Sequence, residues 1–144
     1  MLHYPGFLLY NGVKSPEMGA GEWIFVPMLL STENGKIEID DQVIAAIAGS
    51  AALDCYGLVG MASRSQLRDG IAEMLGRENL SRGVQIRREG DELHLDLYVV
   101  VSYGVRISEV AHNIQAKVKY VLEEIAGLKV DHVNIFVQGV RVTR

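Results

Sequence analysis

The sequence predicts an α+β domain, a mixed β-sheet with two main helices packed on one face, in the order β-α-β-α-β-β-α-β. Three patterns in the C-terminal third indicate it. Every odd position from 93 to 101 is aliphatic, which is the period of a strand with one buried face. Apolar residues then recur at spacings of three and four over positions 107–125, as in an amphipathic helix. A second alternating strand follows at 133–137, and two strands joined through a helix can share one sheet.

The first strand and helix of the domain follow from local patterns. Gly35–Ile39 alternates as a short strand, and Asp40 or Asp41 can cap the helix that follows. That helix continues to about Cys55 and is rich in alanine, glycine and serine. Because these side chains have little bulk, the helix can approach a neighbouring element unusually closely. Residues 57–62 end the helix and form a short apolar segment typical of a buried strand.

A weaker helix and a hairpin complete the order. Residues 65–79 carry a helical apolar stripe, but Gly70 and Gly76 each destabilise this helix by about 1 kcal/mol relative to alanine. Residues 82–88 alternate as a strand. Residues 89–91 are a turn of hairpin length that leads directly into the next strand.

Length, charge and cysteine content restrict the class of protein. A chain of 144 residues that is 49% hydrophobic can form one domain with a substantial core. The net charge of −4 provides no basic surplus, so nonspecific attraction to nucleic acid or anionic lipid is not expected. The single cysteine excludes an intrachain disulfide and favours a reducing compartment. No apolar run approaches the roughly 20 residues of a membrane span, and we expect a cytoplasmic protein.

Residues 1–32 differ from the rest of the chain, and we expect them to be a leader outside a single domain at 33–144. They contain all three prolines and the only tryptophan, without a sustained helical or strand period. We interpret them as translated upstream sequence with the natural start at Met28. A flexible leader, or a segment docked through Trp23 and Phe25, also fits the composition. A secretory signal is not predicted, because the apolar run is short and contains a proline.

Several segments carry a resemblance to a known family. They are GKIEI, VIAAIAGSAALDCYGLVGMAS, LGRENLSRGVQI and the long block from VVVSYG to VQGVRV. Over residues 34–143 the chain resembles the alkaline-shock-protein family of Gram-positive bacteria, also called envelope stress response proteins, and is similar to its YloU-like branch. The resemblance implies a small non-enzymatic cytoplasmic protein of cell-envelope homeostasis, which in some members is held at the membrane by a protein anchor. The family supplies no catalytic residues and no cofactor, and we expect none here.

The outward faces of the two C-terminal strands carry the residues best suited to contact a partner. The predicted interface consists of His94, Asp96, Tyr98, Val100, His132, Asn134, Phe136 and Gln138. Tyr98, Val100 and Phe136 are unfavourable in open solvent, and the mixture with polar neighbours is typical of a contact surface. We expect protein partners, with self-association first and a membrane-anchored protein as a further option. Nucleic acid is not an expected partner.

Other interpretations of the same face are a solvated surface and a small-ligand or metal-binding site. If the two strands are neighbours, His94, Asp96 and His132 could approach closely enough for a metal or an acid–base pair. The sequence fixes no third ligand, since His112 lies on a separate helix. We therefore assign no metal-ligating and no catalytic residue, and we predict that the chain is not an enzyme.

Two weaker motifs lie elsewhere. Residues 57–60 match the GXXG pattern with which KH domains clamp phosphates, so a KH-like RNA-binding module is an alternative function. The two central residues of this motif are apolar rather than basic, which weakens it. The turn at Tyr103 and Gly104 precedes the long helix, whose first amides could hold an anion with help from Arg106. A turn glycine beside a solvated arginine is the ordinary interpretation.

Overall fold

Two α-helices and seven β-strands lie in the part of the chain that the structure describes. The computed structural model describes residues 8–10, 28–63 and 76–142. In chain order the elements are β1 (Leu8–Tyr10), β2 (Met28–Thr32), β3 (Gly35–Ile39), α1 (Asp41–Leu53), β4 (Leu58–Met61), a 3-10 helix (Arg77–Gly83), β5 (Val84–Glu89), β6 (Glu92–Ser102), α2 (Ile107–Ile125) and β7 (His132–Arg141). Within these residues, no helix combines the length and the apolar composition needed to span a membrane.

Strand β6 is the centre of a four-stranded mixed sheet. Strand β7 runs parallel to it along one edge. On the other edge β6 pairs with two antiparallel strands in succession, first β5 and then β4. Strands β1, β2 and β3 form a separate antiparallel sheet. The predicted mixed sheet is confirmed, and so is the order of those predicted elements that fall within the described residues.

One face of the mixed sheet is covered by both α-helices, as predicted. The inward residues of β6 are at most 1% exposed: Leu93, Leu95, Leu97, Val99 and Val101. They share one core with the buried stripe of α2, which is Val110, Ile114, Val118 and Leu122, and with the small residues of α1. A slip of one residue in β6 would turn this whole aliphatic set outward, so burial of these side chains fixes the register of the sheet.

Helix α1 packs closely against the 3-10 helix because the residues of α1 on that side are small. Gly49 is buried there, and a Cβ atom on it would lie 3.1 Å from the Cβ of Leu80. The predicted close approach of this helix is therefore confirmed. Of the two candidate caps, Asp40 accepts a hydrogen bond from the backbone N–H of Gln42 at 2.9 Å. Asp41 instead accepts from the guanidinium of Arg88 in β5, with Nη1 to Oδ2 at 3.0 Å.

The hairpin between β5 and β6 has a two-residue turn, Gly90 and Asp91, between the paired residues Glu89 and Glu92. Gly90 has φ of +62°, a left-handed conformation that favours glycine. The predicted hairpin is confirmed, although Glu89 belongs to β5 and not to the turn. The turn also sets the register of the hairpin, which places Arg87 opposite His94.

The structure differs from the sequence prediction in two places. Strands β1 and β2 lie in the stretch for which no element was predicted. The sequence of β2 does not alternate, and its pairing with β3 is what makes it a strand. Most of the helix predicted at 65–79 lies outside the described residues. Its described end is part of the 3-10 helix, so β5 begins at Val84, two residues later than predicted. The domain boundary at residue 33 stays a prediction.

Candidate functional site

The sheet face turned away from the helices, here called the outer face, bears the predicted interface. Its cross-strand pairs are His94 with His132, Asp96 with Asn134, and Tyr98 with Phe136. The register then shifts, since Val99 pairs with Val137 but Val100 pairs with Gly139, and Gln138 has no partner residue on β6. The structure thus brings six of the eight predicted residues together as three successive pairs.

The most exposed apolar group of these three pairs is aromatic. The rings of Tyr98 and Phe136 stack with centroids 5.1 Å apart and an angle of 18° between their planes. Such pairs contribute about 0.5–1.5 kcal/mol beyond the burial of their area, so the two rings hold each other in place. Phe136 is nevertheless 41% exposed and Tyr98 only half-buried. The outer face therefore presents a pre-ordered apolar patch to solvent.

The central strand contributes less accessible surface than alternation predicts. His94, Asp96 and Val100 are buried, although they point away from the helices. The physical reason is that β6 has a strand on both edges, so cross-strand neighbours cover its side chains. The predicted residues that remain at least partly accessible are Tyr98, His132, Asn134, Phe136 and Gln138.

Asp96 ties three strands together. It accepts hydrogen bonds from Arg87 of β5, with Nε to Oδ2 at 2.7 Å and Nη2 to Oδ1 at 3.2 Å, and from Asn134 of β7 at 2.8 Å. Burial alone would raise the pKa of Asp96, but the hydrogen bonds from Arg87 and Asn134 outweigh it, and the pKa is lowered. The same hydrogen bond raises the pKa of Arg87. This carboxylate is therefore engaged in structure rather than free to bind a metal.

Replacing Asp96 with asparagine is expected to lower the free energy of unfolding at neutral pH by about 1–3 kcal/mol, because hydrogen bonds to a charged group are weakened. Arg87 stays partly exposed and can be rehydrated, so the loss should not exceed this range. Urea unfolding followed by circular dichroism measures it. Glu124→Gln, an exposed change on α2, is the control, and equal stability of the two variants would contradict the prediction.

The pH dependence of this contribution has a definite sign. Because the folded pKa of Asp96 is lowered, its contribution is complete above the unfolded aspartate pKa of about 3.9 and is lost as pH falls through the folded value. The difference in unfolding free energy between wild type and Asp96→Asn should be constant near neutral pH and shrink below about pH 4. A difference that grows in acid would show that the protonated carboxyl is the stabilising form.

Two histidines and a glutamate meet at the hairpin end of the outer face. The rings of His94 and His132 stack with centroids 4.5 Å apart. Glu92 Oε2 lies 2.9 Å from His94 Nε2 and 3.7 Å from His132 Nε2. The ligand-type atoms of these three residues all lie within 4.8 Å of one another. The donor that the sequence analysis could not identify is thus Glu92 and not Asp96.

Sequence reasoning missed both Glu92 and Arg87, although a signal for them exists. A two-residue turn at 90–91 implies that Glu89 pairs with Glu92 and that Arg87 lies opposite His94. That register places Arg87 and Glu92 on the outer face beside the predicted residues. Alternation within β6 and β7 gives no information on the side chains that β5 contributes to this face.

The GXXG tetrapeptide does not form a phosphate-binding loop. Three of its four residues, Leu58 to Gly60, belong to β4, and Gly60 pairs with Val100 of β6. Gly57 lies against Val110 of α2, where an added Cβ would be 2.7 Å from a valine methyl. A KH-type clamp needs an exposed loop, so this geometry counts against the RNA-binding alternative.

Cys55 and Arg106 have ordinary structural surroundings. Cys55 packs against the core at the end of α1, and burial raises the pKa of its thiol, which disfavours the reactive thiolate. Arg106 precedes α2 and forms an exposed ion pair with Glu109, Nη1 to Oε1 at 3.2 Å. Its guanidinium is thus paired with a carboxylate, which disfavours the alternative in which Arg106 helps the first amides of α2 to hold an anion.

The family match and the two relatives described here agree with one another. Residues 30–142 match the alkaline shock protein 23 family, described as having a cell envelope-related function. The chain is 60% identical over 114 residues to the uncharacterized protein YloU of Bacillus subtilis, covering 79% of this chain and 95% of that protein. It is 43% identical over 113 residues to an uncharacterized protein of Streptococcus pyogenes serotype M6, covering 78% and 93% of the two chains. No solved structure matches the chain.

Proposed function

Because the chain belongs to the alkaline shock protein 23 family, which has a cell envelope-related function, we propose that it is a non-catalytic scaffold protein of envelope stress homeostasis. It acts through protein contacts of the outer face. We place it in the cytoplasm, close to the membrane through a protein anchor. Its first partner is a second copy of itself, and a membrane-anchored protein is the second.

The observation that carries this proposal is the exposed stack of Tyr98 and Phe136. Aromatic side chains dominate the binding energy of protein interfaces when they are buried in a complex. These two rings hold each other in a fixed arrangement before binding, so little conformational entropy is lost when a partner covers them. Half-buried Asn134 beside them can supply the polar rim that interfaces have around an apolar centre.

The surroundings of Asp96 support a structural role for this carboxylate rather than a catalytic one. The carboxylate of Asp96 is held by Arg87 and Asn134, and its lowered pKa keeps it charged. A general acid or base at neutral pH needs a pKa near the working pH, and the shift of Asp96 is in the opposite direction. This network braces the strands beneath the aromatic pair.

Replacing Tyr98 and Phe136 together with serine is expected to reduce the molar mass measured by light scattering toward that of one chain. Loss of a buried aromatic anchor costs about 2 kcal/mol or more at an interface, which lowers affinity about thirtyfold or more for each ring. Circular dichroism checks that the variant is folded. Phe136→Ser alone, at the more exposed ring, is the milder variant if the double substitution destabilises the chain.

The matched control removes two apolar side chains from a different surface. Tyr120 and Ile125 are exposed on α2, so Tyr120→Ser with Ile125→Ser changes hydrophobicity by a similar amount away from the outer face. The wild type, the outer-face variant and this α2 variant are each used as bait in affinity capture from the native host. If the outer-face variant keeps both the mass and the captured partners of the wild type, the outer face is a solvated surface and the proposal fails.

A further inference from the structure

We propose that Glu92, His94 and His132 form a binding site for a divalent transition metal of the zinc class. The three donors lie at the hairpin end of the outer face, beyond the aromatic pair. This inference does not depend on the proposed protein contact, because the ion is held by groups of one chain.

The donor set suits zinc. Two imidazole nitrogens and one carboxylate oxygen are a common set of protein ligands for Zn²⁺, with the fourth position left to water or an outside donor. Bonds of about 2.0–2.2 Å in a tetrahedron place neighbouring donors about 3.4 Å apart. The distances from Glu92 Oε2 to the two Nε2 atoms are 2.9 and 3.7 Å, on either side of that value. The donor atoms of the two histidines lie within 4.8 Å of each other, so rotation of the side chains toward a common point would bring all three donors into coordinating range.

The backbone places these donors without help from an ion. Glu92 and His94 are two residues apart on β6, so their side chains point to the same face. His132 is the direct parallel partner of His94, and stacking of the two rings restrains both imidazoles. His94 is also buried, which limits the rotamers it can adopt. A site whose ligands are already in place loses little entropy when the ion binds.

The local charge favours a cation. Glu89 Oε2 lies 3.7 Å from His94 Nε2, so a second carboxylate stands beside the three donors. Glu89 also forms an ion pair with Arg87, which holds it at the edge of the cluster. Its oxygen is thus a candidate for the fourth position, in competition with water.

The test is a zinc titration of the full chain, made without a polyhistidine tag and freed of metal with a chelator. Competition with a chromophoric chelator should give one Zn²⁺ per chain. His132→Ala and Glu92→Gln should each weaken binding at least about tenfold, since even loss of outer-sphere partners costs about 10–100-fold. Both side chains are exposed, so neither change should unfold the protein.

Two controls separate this site from other zinc ligands. His112→Ala removes an exposed histidine on α2, and Cys55→Ser removes the thiol; both should bind zinc as the wild type does. Binding of Co²⁺ should give the visible absorption of a tetrahedral complex, which His132→Ala abolishes. The proposal is overturned if the wild type binds no stoichiometric zinc, if His132→Ala binds as tightly as the wild type, or if Cys55→Ser removes the binding.

Discussion

Replacing Gly57 with alanine is expected to destabilise the fold by about 2–6 kcal/mol, the sum of two separate costs. Gly57 has φ of +88°, where a residue with a side chain is strained by about 1–3 kcal/mol. The added Cβ would also lie 2.7 Å from Cγ2 of Val110, and overpacking of this kind costs about 1–3 kcal/mol. Urea unfolding of the variant measures the total.

A second glycine separates the two costs. Gly104 has φ of +94°, but an added Cβ there would meet nothing within 4 Å, so Gly104→Ala carries the backbone strain alone. Val110→Ala removes the clash, so Gly57→Ala should cost less in the Val110→Ala background than in the wild type, although Val110→Ala has a cavity cost of its own. Equal destabilisation by Gly57→Ala and Gly104→Ala would show that contact with α2 contributes nothing.

Replacing Leu97 with alanine is expected to lower the free energy of unfolding by about 2–5 kcal/mol. Leu97 is 0% exposed on the inner side of β6, with Val84 and Ile135 as its neighbours on the two adjoining strands. Strands on both edges and helices above leave little room for the site to collapse, so a cavity should remain. Thermal and urea unfolding measure the loss of stability.

Val140→Ala is the matched control for this truncation. Val140 lies near the end of β7 and is 47% exposed, so its truncation should change stability by no more than about 0.5 kcal/mol. A loss at Val140 as large as that at Leu97 would mean that a partner covers the C-terminal end of β7 under the conditions of the measurement. If a partner copy covers Val140, the loss of stability depends on protein concentration, whereas a loss within one chain does not. Unfolding measured over a range of protein concentrations therefore separates the two cases.

The fold was predictable where periodicity is strong. The alternation in β6 and the helical stripe of α2 each persist over many residues, so the buried face of each element could be identified correctly. Resemblance identified the family, and the match over residues 30–142 confirms it. Strand β2 was missed because its pairing with β3, and not its own pattern, makes it a strand.

The outer face was predictable only as a list of residues. Alternation indicated which side chains turn away from the core, but it contained no information on how far neighbours cover them. Burial of His94 and Asp96 depends on β5 and β7 lying on either side of β6. The roles of Arg87 and Glu92 depend on the hairpin register in the same way.

By itself the amino-acid sequence determined the order of the described elements from β3 onward, the buried stripe of β6 and of α2, and the family, because these follow from local spacing and from segments read along one chain. The tertiary structure alone decided that Glu92 joins the two histidines, that Arg87 and Asn134 hold Asp96, and that Tyr98 stacks on Phe136. The physical reason is that each of these contacts joins different strands or depends on their pairing. Distances across a sheet are set by register and packing, which local periodicity does not encode.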